Sequence, residues 1–137
     1  MTDTVEFRTE RERAVTGIPQ EEEFRYSRGV RVGDRVIVSG SSALWRDGGM
    51  DPALEGDMYG QCKVAIGKIE QALRDLDSSL QHVVKATFFI TDADGTEAAA
   101  HAFRDFFGPA RPAFTLVGVP FLAGPGLLVE IEAEAVD

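Results

Sequence analysis

The chain of 137 residues is short of several residue types, and each shortage removes a class of function. It has one cysteine, Cys62, which excludes an intramolecular disulfide and a cysteine-based zinc site. Its two histidines, His82 and His101, are isolated in sequence, so no bound metal is expected. Positive charge is scarce: 14 Lys and Arg stand against 23 Asp and Glu, a net charge of −9. Nucleic-acid binding draws its affinity from a cationic surface that releases counterions, so this balance argues against a nucleic-acid partner. It argues equally against docking on anionic lipid. No apolar run approaches the roughly 20 residues that span a bilayer, and residues 1–13 are charged, without the apolar core of a signal peptide. A cytoplasmic protein with no membrane partner is expected. Phosphate-binding glycine loops, the zinc-protease helix and the nucleophile elbow are also missing. Nothing in the spacing of Ser39 and His101 supports a Ser-His-Asp triad.

What is present is ordinary for a globular chain: 44% apolar residues, 27% charged residues and a mean hydropathy of −0.10. The length suits one domain, 1–137, large enough to bury a core without staples. Residues 1–24 form a charged N-terminal segment in which Val5-Glu6-Phe7 reads as a short first strand. Glu21-Glu22-Glu23 reads as a solvated loop. Residues 26–32 and 35–39, joined by Gly33-Asp34, read as a β-hairpin. A helix is expected over 57–76, with Asp57 as N-cap and Cys62, Ala65, Ile66, Ile69, Ala72, Leu73 and Leu76 on one apolar face. Lys63, Lys68, Glu70, Arg74 and Asp75 fall off that stripe. Strand 83–91 follows, then a helix over 95–107, with Asp94 and Glu97 as a capping box. Two strands end the chain, at 115–119 and 127–136. The last alternates Val129, Ile131, Ala133 and Ala135 with Glu130, Glu132 and Glu134, a period of two that marks a strand with one buried face.

The order β, β, β, α, β, α, β, β makes an α+β layer, a mixed sheet with two helices on one face. Strands 35–39 and 83–91 hold consecutive apolar residues, as if both their faces were covered. The chain has no segment left to cover the second face, so a homo-oligomer is expected.

Several residues are candidates for ligand contact. Ser39 and Gly40 end a buried strand and enter a long loop, and Tyr26 begins a strand near it. Glu130 alternates on a C-terminal strand and reads first as part of a solvated face, yet at a subunit interface it would serve as a base that activates water. Trp45 is the single tryptophan, in a loop, as a lid or an interface anchor. Cys62 reads as core, His82 as structural or surface, and His101 as exposed or interfacial.

These residues carry a wider pattern. The chain resembles the Rid superfamily, also called YjgF/RidA and, under an older label, endoribonuclease L-PSP. The resemblance covers about residues 26–136. It rests on Tyr26-Ser27-Arg28-Gly29-Val30, Val38-Ser39-Gly40, Gln71-Ala72-Leu73, Val83-Val84-Lys85 and Phe106-Phe107-Gly108. Its most specific segments are Arg111-Pro112-Ala113 and Leu128-Val129-Glu130-Ile131-Glu132-Ala133. The resemblance implies a chorismate-mutase-like trimer with three ligand clefts between subunits. It implies hydrolysis of reactive 2-imino acids and enamines to a 2-keto acid and ammonia, with no cofactor. Carried over residue by residue, Tyr26 matches the aromatic cleft residue, Ser39 and Gly40 the ligand loop, and Glu130 the carboxylate that positions water. The arginine that clamps the substrate carboxylate is replaced by Phe114. The cysteine often found two residues on is Leu116, and an asparagine of the deaminase branch falls at about Ala100.

A phenyl ring offers none of the five donors of a guanidinium, and a carboxylate buried against it would stay unpaired at a cost of about several kcal/mol. The usual 2-imino-acid activity is therefore not expected. Arg111, three residues before Phe114, and Arg28, beside Tyr26, are the cations nearest in sequence that a different loop path would bring in as clamps. Three function classes remain: an imine or enamine hydrolase with an altered, less charged substrate; a non-catalytic trimer that binds a metabolite or a protein; and a ribonuclease, which the charge of −9 opposes.

Overall fold

The computed structural model describes residues 10–137, so the expected strand at Val5-Glu6-Phe7 lies outside the described residues. Strand β1 (Arg11–Ala14) leads to a short helix α1 (Pro19–Phe24), then the hairpin β2 (Gly29–Val32) and β3 (Arg35–Ser41). Helix α2 (Met58–Asp75), strand β4 (Val83–Ile90), helix α3 (Thr96–Phe107), and strands β5 (Ala113–Gly118) and β6 (Val129–Val136) complete it. The described strands form one sheet in the order β1-β2-β3-β6-β4-β5, with β4 and β5 parallel and the other neighbours antiparallel. β6 therefore inserts between β3 and β4, and α2 and α3 are the crossovers of two β-α-β units.

Local chemistry explains most boundaries. Gly33 turns the β2–β3 hairpin at φ +62°, a conformation that costs glycine little. The Asp57 carboxylate accepts from Gly60 N at 2.9 Å and caps α2 as expected. At the far end Arg31 Nε donates to Leu76 O at 2.6 Å, placing a cation on the last turn's free carbonyls. The cap of α3 differs from the expectation. Asp92, not Asp94, supplies the side-chain acceptor, taking Asp94 N at 2.9 Å in a tight turn over Ala93–Gly95. Gly95 then occupies the N-cap with no side-chain bond, so the Asp94–Glu97 capping box does not form.

Val36, Val38, Ala86, Phe88, Ile90, Val129, Ile131, Ala133 and Ala135 face the helices and are buried. Phe88 meets Phe103 and Phe107 of α3 edge-on, at 6.0 and 6.2 Å between ring centroids. Cys62 is fully buried in this layer, and burial, with the nearby Asp57 charge, pushes its thiol up to about 12. A thiolate is the reactive species. Native protein at pH 8 should therefore leave Ellman's reagent unreacted, while denaturant should release one thiol per chain. Rapid native labelling would contradict this packing.

The opposite face of the sheet carries neither α2 nor α3. Ile37 is 46% exposed and Val117 38%. The face is not uniformly apolar, as the consecutive hydrophobics of β3 and β4 had implied. Glu130, Glu132 and Glu134 run along its middle, with Phe89 half-buried opposite Glu130 and Thr87 opposite Glu132.

The Glu21-Glu22-Glu23 run is a second correction. It belongs to α1, which starts at Pro19, and Glu21 is only 4% exposed. Proline at the first helical position was the signal for this helix.

Candidate functional site

The resemblance-based candidates fall into two places. One is the end of β3 where it meets β6. The register between these strands shifts between Val38 and Ser41, so Ser39 and Gly40 bulge out of the ladder. Glu130 lies directly against Gly40: a Cβ at that position would collide with the Glu130 carboxylate. Glycine is required there for this close approach, not for an unusual φ. Ser39 Oγ donates to Ser27 O at 2.7 Å, and Ser39 N donates to Arg28 O at 2.9 Å, which ties the bulge to the segment before β2.

Behind the bulge lies a buried ionic network. Arg28, 1% exposed, donates from Nε and Nη2 to Glu21 Oε2 at 3.1 and 2.9 Å. Its Nη1 donates to Gly40 O at 2.6 Å and Ser41 Oγ at 3.1 Å. Glu21 also accepts from Thr16 N at 2.8 Å, Gly17 N at 3.1 Å and the Thr16 hydroxyl. Burial opposes the charge on Glu21. Donors from the Thr16 hydroxyl, Gly17 N, Thr16 N and Arg28 together outweigh it and hold the carboxyl below its ordinary value of 4.5. Arg28 is thus committed to the loop's backbone, which corrects its candidacy as a substrate clamp. Tyr26, 37% exposed, lies under the Arg28 guanidinium at 5.7 Å from its ring centroid.

The second place is the edge strand β5. Register pairs Phe114 with Ala86 and Leu116 with Phe88, so both point to the helix side of the sheet. Phe114 stacks on Phe103, with centroids 3.9 Å apart and planes at 8°, and meets Phe88 edge-on at 5.2 Å. It is still 36% exposed. Within one chain, Phe114 and Leu116 therefore face away from Glu130, on the other side of the sheet.

The remaining candidates are scattered. Arg111 is exposed in a left-handed turn (φ 49°) before β5. Ala100 is half-buried on α3, and His101 beside it is exposed, 3.8 Å from Glu97. His82 Nδ1 lies 2.9 Å from Asp137 Oδ1. Trp45 is 57% exposed in the loop after β3. Among the described residues no group of acids, histidines or cysteine is arranged to hold a metal ion.

Sequence reasoning missed Glu21 and Lys68. Lys68 is 5% exposed and donates to Leu44 O at 2.8 Å, although helical spacing put it off the apolar stripe. No local pattern marks it, because its acceptor is 24 residues away in the chain.

Together these features define an α+β protein with one helical layer and one open sheet face, whose candidate site residues are split between its two sides. The chain matches the family described as endoribonuclease L-PSP over residues 19–137, and it belongs to that family, the Rid/YjgF superfamily. It is 33% identical over 123 residues to the uncharacterised protein SCO2049 of Streptomyces coelicolor, covering 90% of each chain. It is 30% identical over 110 residues to the RutC family protein PYRAB12510 of Pyrococcus abyssi, covering 80% of this chain and 84% of the relative. The crystal structure of Rv2704 from Mycobacterium tuberculosis, a member of the YjgF/YER057c/UK114 family, superposes with a TM-score of 0.83 at 32% identity. That match covers 93% of this chain and all of the other. The expected fold class and family are both confirmed.

Proposed function

We propose that the protein is a homotrimer whose clefts lie between subunits, and that each cleft hydrolyses an imine or enamine lacking a clamped carboxylate. One observation carries this reading: Glu130 is held against Gly40 on one side of the sheet, while Phe114 and Leu116 line an exposed edge on the other. A second copy that lays its β5 edge near the first copy's open face would unite them. It would also cover Ile37 and Val117.

The chemistry asks little of the protein. Water adds to the electrophilic C=N carbon, and the resulting carbinolamine expels ammonia to leave a carbonyl. Glu130 orients the water and takes its proton. No cofactor enters the step. The walls supplied by Tyr26, Phe114 and Leu116 favour an aromatic or cyclic substrate, and Ser39 and Gly40 bring backbone groups to it. The chain represents a branch of the family that has given up the arginine. A cytoplasmic location belongs to the same proposal; no helix among the described residues is long and apolar enough to cross a membrane.

A second reading, a trimer that binds its ligand without turning it over, is favoured by the Phe114 ring's stacking where the cation would be. The ribonuclease implied by the family's older name has less support. Beyond the charge of −9, Arg28, Arg31 and Arg35 are paired with Glu21, Asp137 and Glu134.

The test is ammonia release from a panel of imines and enamines generated in solution. Wild type should accelerate hydrolysis of an uncharged aromatic or cyclic member, and Glu130→Gln should lose about a hundredfold or more. Undiminished turnover by Glu130→Gln would contradict the mechanism, and a ligand recovered unchanged would favour the binding reading. Light scattering should give about three times the 14.9 kDa chain mass.

A further inference from the structure

A cavity of about 750 Å³ opens on the flank of α2, away from the β5 edge. Its walls are the segment 15–18, the loop 43–54 and one side of α2. This volume suits a small molecule, and most of the lining is apolar, from Val15, Ile18, Ala43, Leu54 and Val64. Trp45 forms part of the wall.

Its polar groups are unevenly placed. Asp51, Asp75 and Arg46 are exposed, and both acids are already engaged: Asp51 accepts from Ala53 N, and Asp75 accepts from Gln71 Nε2. Lys68 is the buried one. Its ammonium has three protons, and the bond to Leu44 O uses one. No carboxylate of the described residues lies within ion-pair distance of it. Burial, reinforced by the Arg28 charge and opposed by the Glu21 and Glu130 charges, pushes Lys68 down to about 8. The two acids offset the burial only in part; a buried cation with no carboxylate in contact is costly, and an anion entering the cavity would relieve that cost.

We propose that this cavity is a second small-molecule site, specific for a monocarboxylate with an aromatic or branched apolar body, with Lys68 receiving the carboxylate and Trp45 the body. A single cation at the floor, with two acids outnumbering Arg46 near the surface, selects against dianions such as phosphate esters. The proposal does not rest on the cleft proposed above, although the Glu130 charge reaches Lys68.

Trp45 is the only tryptophan in the chain, so its fluorescence reports the cavity directly. The probes are 4-phenylbutyrate and its neutral amide. In wild type the carboxylate should change Trp45 emission saturably, at one per chain, with affinity at least tenfold above the amide. Lys68→Met should abolish that preference. Gly67→Leu supplies a second variant: Gly67 lines the cavity on α2, and a Cβ there meets nothing within 4 Å. Its side chain should fill the space and weaken both probes about tenfold, while leaving imine hydrolysis unchanged. Glu130→Gln should not weaken probe binding. Equal binding of acid and amide to wild type, a preference that survives Lys68→Met, full affinity in Gly67→Leu, or loss of binding in Glu130→Gln would each overturn the proposal.

Discussion

Replacing Arg28 with methionine is expected to destabilise the protein by about 3–5 kcal/mol, read as a lower urea midpoint with an unchanged slope. The size follows from what is left behind. Methionine fills much of the same volume, but the Glu21 carboxylate stays buried with its paired cation removed. Gly40 O and Ser41 Oγ also lose a donor. Removing both charges together, in Glu21→Gln with Arg28→Met, should cost less than the sum of the two single changes, because each single change strands a buried ion and the double change strands none. The pair also sets an acid limit. The folded carboxyl is held below 4.5, so its contribution is complete above that pH. As pH falls from there toward the lowered value, the unfolded chain takes up the proton first, and the contribution is lost. Relative to Glu21→Gln, wild type should lose its advantage below about pH 4.5. Because Arg28 holds the carbonyl of Gly40, and Gly40 abuts Glu130, the single variant should also lower turnover in folded protein.

Phe114→Arg is expected to create hydrolysis of 2-iminobutyrate that wild type lacks, by about a hundredfold or more in kcat/KM. A guanidinium forms two parallel charge-assisted bonds to a carboxylate, and a hundredfold gain requires about 2.7 kcal/mol of added transition-state stabilisation. The ring offers no donor. It is already stacked on Phe103, so in wild type a substrate carboxylate would meet apolar surface. The exchange gives up one aromatic contact, a loss of about 1 kcal/mol. A partly exposed position on an edge strand tolerates that loss without unfolding.

The parts of this protein that could be read from its sequence are those written in local periodicity. β6 alternates strictly, and α2 carries its apolar face behind an Asp57 cap, so both elements lie within two residues of their expected ends. Tertiary pairings could not be read in this way. A run of three glutamates looks solvated wherever it occurs, and only the fold brings Arg28 to Glu21. The same holds for Lys68, whose ammonium donates to a loop carbonyl. β1 (Arg11–Ala14) has three charged residues in four and no alternation to betray it, as befits an edge strand. The candidate site was legible as a set of residue identities through the family resemblance. Its division between two faces of the sheet was not, because that depends on strand order and register.

That division makes the central claim testable by mixing subunits. Wild type lacks the clamp for 2-iminobutyrate, and the double variant Phe114→Arg with Glu130→Gln lacks the carboxylate. Co-assembled, the two chains form mixed oligomers, verifiable by native mass spectrometry. In some of their clefts the arginine of one copy would face the intact Glu130 of another. If the cleft is shared between copies, the mixture should hydrolyse 2-iminobutyrate although neither parent does. If Phe114→Arg alone is active and verified mixed oligomers are not, the two residues act within one chain or not together, and the shared cleft is contradicted.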